Sequence, residues 1–262
     1  MLTDIARLDT ASRRRSMIGY TAGMALYALI VVALYPAFKN STSLDTLVKN
    51  DATAAALFGI TGKISSSGGW LNANIYANFF PLIMLLMTIG YGAGSLAGQD
   101  EDGTLCLLAT LPMRRKVMVL QKTAAMTIQA ITLAAGVAIC VLIGQAFELN
   151  ISLANVVAVS AVVLLMGLDF GILTMAVGAL TGRRGTALGI GAAVAAGSYL
   201  VSSLAPVVSW IGPGKYASLF YWSVGDNQIT GGVSILDYAV LLAVGLAALW
   251  VTVLAFRRLD LH

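Results

Sequence analysis

The sequence predicts an all-α, polytopic membrane protein, and three observations carry that prediction. Of 262 residues, 58% are hydrophobic and only 11% are charged, against about 25% charged in a soluble domain. Six separate stretches stay apolar for roughly 20 residues, the length that crosses a bilayer core. Basic residues gather on alternate connections between those stretches. A soluble fold has too little interior to hide this much apolar surface, so lipid is the expected solvent for part of it. Backbone groups in lipid must bond within their own segment, which makes the spans helices. The two-residue alternation of a membrane barrel is absent.

The elements follow in order along one transmembrane domain covering residues 1–262. Residues 1–16 form a polar, basic segment expected to be an amphipathic helix. On it Leu2, Ile5 and Leu8 share a face, Asp4, Arg7 and Asp9 lie elsewhere, and Arg13, Arg14 and Arg15 follow at the membrane edge. The apolar stretch after it is too long for the core of a cleavable signal, so none is expected. The six spans fall at 17–38, 75–98, within 117–147, within 153–180, at 186–208 and at 236–256. The first outer connection is long and rich in Ser, Thr, Ala and Gly, and Leu44 to Phe58 suits a short amphipathic helix. Before the sixth span, Trp210, Tyr216, Phe220, Tyr221 and Trp222 surround Pro213 and Gly214. Aromatic residues this dense predict a re-entrant or interfacial segment.

Charge sets the expected orientation. With the N-terminus inside, the inner segments hold Arg7, Arg13, Arg14, Arg15, Arg114, Arg115, Lys116, Lys122, Arg183, Arg184, Arg257 and Arg258. The outer segments hold only Lys39, Lys49, Lys63 and Lys215. The positive-inside rule then places both termini in the cytoplasm. The inner basic residues suit anionic lipid headgroups, at about 1 kcal/mol each, and a net charge of +4 calls for no nucleic-acid partner. Cys106 and Cys140 form no spacing pattern and read as reduced. The one histidine is His262, so histidine metal sites, triads and proton relays are not expected in the spans, and no metal site is predicted.

The inner connection between spans two and three is the most informative stretch. Asp100, Glu101 and Asp102 open it, and negative charge favours a helix N-terminus. Leu105, Leu108 and Leu111 then recur every three residues, Leu107 and Ala109 widen the apolar face, and Pro112 ends the run before Arg114, Arg115 and Lys116. The pattern predicts a helix at 102–112, two to three turns and about 13 Å long. Too short to span, it either lies on the membrane surface or docks its apolar face in a groove of a partner protein.

The order of acidic residues, Gly103-Thr104-Leu105, then Leu107-Leu108-Ala109, Leu111-Pro112 and Arg114-Arg115-Lys116, closely resembles the same loop in type-2 ATP-binding-cassette exporter permeases. Phe256-Arg257-Arg258-Leu259-Asp260-Leu261 is similar to the family's ending after its sixth span, and the layout of the whole chain matches. Cys106 departs from the pattern, standing where the family often carries Glu. The resemblance implies that 102–112 is a coupling helix docking on a separate ATPase, with Glu101, Asp102, Gly103, Thr104, Leu105, Leu108, Leu111 and Pro112 as coupling residues. It implies that the N-terminal segment, with Arg13, Arg14 and Arg15, is a connecting helix touching the same ATPase. It implies a second permease protomer, identical or homologous, and a bacterial plasma-membrane location. It also implies export of hydrophobic or amphipathic compounds such as drugs, antibiotics, lipids or peptides. No Gly-x4-Gly-Lys-Ser/Thr phosphate cradle occurs, so no cofactor is expected on this chain, and ATP and magnesium belong to the partner. The chain is then a transport subunit rather than an enzyme.

Small residues recur at Gly90, Gly94 and Gly98 in span two and at Gly185, Gly189, Ala193 and Gly197 in span five. Such stripes let helices approach closely, within one chain or across a dimer seam. In the resembling family these two spans flank the central pathway, which makes Asn78, Phe79, Phe80, Met84 and Met87 candidate pathway residues. Asp169 is the acidic residue deep in a span, and intramembrane carboxylates are functional candidates by default. It also supports a different reading, an ion-coupled secondary transporter. An intramembrane aspartyl enzyme built on Asp169 and Asp226 is disfavoured, because Ser223 breaks the Gly-x-Gly-Asp pattern.

Overall fold

The computed structural model describes residues 4–39, 63–104, 114–208, 211–225 and 228–258. Among them every regular element is helical. Six helical runs are long and apolar enough to cross a membrane: Arg14–Phe38, Ser67–Glu101, Arg115–Phe147, Leu153–Thr181, Arg184–Leu204 and Ile235–Arg257. We name α1 (Asp4–Ser12), α2 (Arg14–Phe38), α3 (Phe79–Ala93), α4 (Arg115–Ile143), α5 (Leu153–Thr181), α6 (Arg184–Leu204) and α7 (Ile235–Arg258). The spans are thus α2 to α7, with α1 preceding them. The expected helix at Leu44 to Phe58, most of the 102–112 helix, Trp210, Asp226 and the chain end after Arg258 lie outside the described residues.

The fourth span is the axis of the bundle. α5 packs against α3, α4, α6 and α7. Buried residues make up 72% of the second span's apolar window and 61% of the fourth's, but only 22% in the first and fifth. The second and fourth therefore form the interior, and the first and fifth present their sides outward. Glycines permit the tightest contact of that interior. A Cβ on Gly92 would stand 2.2 Å from the carbonyl oxygen of Gly171, and one on Gly167 would stand 2.3 Å from Met84. In the absence of water, such backbone contact and its dispersion energy drive helix association.

The stripe read at Gly90, Gly94 and Gly98 acts differently from that close approach. Gly90 has open space above it, Gly94 lies under the Arg13 guanidinium, and Gly98 lies under the Arg184 stem. Gly185, Gly189 and Gly197 on α6 also meet nothing within 4 Å.

Three polar contacts fix the ends of the bundle. At the end that carries α1, the Arg115 guanidinium donates to the Phe256 carbonyl at 2.9 Å, which joins the start of α4 to the end of α7. At the opposite end Lys39 pairs with Glu148, which joins the ends of the first and third spans. Nearby, Trp70 Nε1 donates to the Val31 carbonyl at 2.9 Å. The aromatic segment before α7 consists of a 3-10 turn, Gly212–Ala217, and two short helices, Leu219–Val224 and Gln228–Gly231. Lys215 lies over the rings of Tyr216 and Tyr221, at 5.1 and 4.8 Å, and Phe220 inserts against Tyr199 and Phe170.

Candidate functional site

The second span is the element on which the site is built, and it is not one regular helix. It begins as a short helix, Ser67–Leu71, widens to a π-helical turn, Asn72–Tyr76, breaks at Asn78, continues as α3, and widens again at Gly94–Gly98 before ending at Gln99–Glu101. π-helical turns leave room for extra side chains and cluster at functional places. Here the turn at Gly94–Gly98 sits where three other elements converge.

The convergence is centred on Asp9 of α1. Its Oδ2 accepts from Tyr91 Oη at 2.9 Å and from Lys122 Nζ at 3.3 Å. Lys122 also donates to Gln99 Oε1 at 2.6 Å. The Arg13 guanidinium stacks on the Tyr91 ring, 4.6 Å from its centroid. Lys122 is fully buried on α4 and Asp9 is nearly so. A buried charge must be paired and hydrogen-bonded to be tolerated, and this network meets that demand. It ties α1 to the second and third spans at one point. The polar face read for α1 is therefore turned inward at Asp9, while Leu8 is 64% exposed. In a membrane protein the outward direction is the apolar one, which reverses the assignment a water-facing helix would have.

The predicted coupling residues start beside this network. Asp100 and Glu101 belong to the end of the second span, and the chain turns at Gly103 with φ +69°. The acidic residues thus finish one helix. Glu101 Oε1 accepts from the Arg184 backbone N–H at 2.9 Å, so its charge serves the N-terminus of α6. Thr104 Oγ1 donates to the Gln99 carbonyl at 3.2 Å, and Asp102 closes the last turn. Leu105, Leu108, Leu111, Pro112 and Cys106 lie outside the described residues. Of the three arginines, Arg13 turns to Tyr91, while Arg14 and Arg15 are exposed.

A second feature lies between α3 and α6, a cavity of about 500 Å³ bordered by Asn78, Phe79, Leu86, Leu188, Ala192 and Tyr199. Tyr199 Oη donates to Asn78 Oδ1 at 3.2 Å, and the Phe79 ring lies tilted against that of Tyr27, centroids 4.5 Å apart. Two of the candidate pathway residues, Asn78 and Phe79, therefore border it. Phe80 and Met84 point to the interior instead, Phe80 on the Tyr76 ring and Met84 on Gly167. Met87 is buried in the core. Asp169 is 2% exposed on α5. Its Oδ1 would meet a Cβ on Gly245 of α7 at 2.5 Å, and its buried Oδ2 has no hydrogen-bond partner among the described residues. It does not border the cavity.

Sequence reasoning missed Asp9, Tyr91, Gln99 and Lys122 as a unit, since Asp9 and Lys122 are 113 positions apart. The available signal was Lys122 itself, a basic residue eight positions inside an apolar helix, which was counted only for orientation.

The family model described as ABC-2 family transporter protein matches residues 3–261. The chain belongs to that family, and it is a multi-pass membrane protein of the ABC permease type. No curated protein matches the chain.

Proposed function

We propose that this chain is the membrane-spanning subunit of an ATP-driven exporter, working with a separate ATPase and a second permease protomer. Both termini and α1 face the cytoplasm in this reading, and the substrate is hydrophobic or amphipathic. The observation that carries it is the junction at the end of the second span. There the connecting helix (through Asp9), the third span (through Lys122) and the fifth span (through Arg184) all attach within four residues of the coupling loop. An ATPase pushing on that loop displaces the second and fifth spans together. Those two spans border the apolar cavity, and α6 keeps its small-residue face open for a second protomer. The cavity's lining of Phe79, Leu86, Leu188 and Ala192, with the Tyr199–Asn78 pair at its border, suits a greasy solute carrying a polar group.

The ion-coupled reading would route a proton or sodium ion past Asp169. That carboxylate packs against Gly245, away from the cavity, which favours the ATP-driven reading. The test is purification of the chain from its native membrane in mild detergent, followed by transport in vesicles. An ATPase subunit is expected to travel with it, and uptake into inverted vesicles is expected to stop with vanadate. Uptake that ignores vanadate but collapses with a protonophore overturns the proposal.

A further inference from the structure

A groove of about 740 Å³ runs between α1 and α4, separate from the cavity on the second and fifth spans. Ala6, Ala11 and Met17 form one wall, and Leu120, Ala124 and Ile128 form the other. Its surface is almost wholly apolar. Arg7 and Arg14 both border it, and both are exposed. Neither makes a hydrogen bond or ion pair among the described residues. Asp9, on α1 with Arg7, is engaged by Lys122 and Tyr91 instead. Lys116, at the start of α4 beside the groove, is exposed as well. The chemistry is an apolar slot bordered by two guanidinium groups that have no partner among the described residues. A ligand that satisfies both parts has a hydrocarbon tail and a net negative phosphate head. Guanidinium groups bind phosphate through paired N–H donors, and a phosphocholine head would bring its own cation into the same place.

We propose that this groove holds one anionic phospholipid of the inner leaflet, its phosphate at Arg7 and Arg14 and an acyl chain between α1 and α4. The leaflet assignment rests on the cytoplasmic placement of α1 proposed above; the lipid chemistry does not. Lipid in the groove would add a second tie between α1 and α4, beside the Asp9–Lys122 pair.

The test is native mass spectrometry of the full chain, purified in mild detergent and exposed to phosphatidylglycerol or to phosphatidylcholine with the same acyl chains. The wild-type chain is expected to retain phosphatidylglycerol preferentially. Arg7→Gln with Arg14→Gln is expected to weaken that retention roughly 25-fold, from about fivefold per basic residue. Ala124→Trp, which fills the slot and keeps both arginines, is expected to lose the lipid too. Equal retention of the two lipids, or unchanged retention in either variant, overturns the proposal. So does blocking of the groove by a co-purified ATPase when phosphatidylglycerol is in excess. The measurement needs no ATP, so it separates failure of this site from failure of the exporter reading.

Discussion

Lys122 brings a charge to a position that lipid-facing sequence would forbid, and its two partners, Asp9 and Gln99, make it tolerable. Removing one partner of a buried pair leaves the other charge uncompensated, at a typical cost of about 3 kcal/mol or more. Lys122→Met alone is therefore expected to lower the unfolding temperature in detergent more than Lys122→Met with Asp9→Asn, because the double variant removes both charges. Equal losses would show that the pair contributes through packing alone. Gly92 is a second critical residue. A valine there has no room beside the Gly171 carbonyl, and overpacking of this kind costs about 1–3 kcal/mol or more. Gly92→Val is expected to reduce the yield of folded protein sharply, whereas Gly90→Val, facing open space, is expected to leave it intact. Gel filtration of the two variants side by side checks this.

At the scale of elements, the fifth span depends on the second for its start. Glu101 caps the first N–H of α6, so Glu101→Gln is expected to weaken that end by about 0.5 kcal/mol, and to uncouple ATP hydrolysis from transport if the junction carries the motion. An unchanged ratio of ATP hydrolysed to substrate moved counts against a coupling role for this contact. The spans were legible in the sequence because hydropathy reports the solvent of each segment. The end of the second span was less legible. Its acidic residues suit a helix N-terminus, and Glu101 serves one through space, that of α6. The break at Asn78 and the turn at Gly94–Gly98 left no hydropathy signal, because both remain inside one long helical run. The environment of each face of α1 was not legible for a related reason. Leucine periodicity locates an apolar side but does not say whether lipid or protein covers it, and here Leu8 faces out while Asp9 finds Lys122.

At the scale of the whole molecule, the bundle is closed on its second and fourth spans and open on its fifth. Large apolar side chains on α6, including Leu188, Ile190, Val194 and Leu200, are 42–50% exposed beside the unoccupied glycines. Two protomers meeting there would place both α3–α6 cavities near a shared axis. Gly189→Cys in a chain with Cys106→Ser and Cys140→Ser is expected to cross-link to a second copy under mild oxidation. Failure to cross-link, with Leu246→Cys on α7 linking instead, would move the seam to the opposite side. The order of synthesis adds a constraint of its own. Asp9 leaves the ribosome 113 residues before Lys122, an interval of roughly 6 to 20 s at ordinary elongation rates. Throughout that interval Asp9 lacks its Lys122 partner. The molecule therefore locks its beginning only after its middle has arrived.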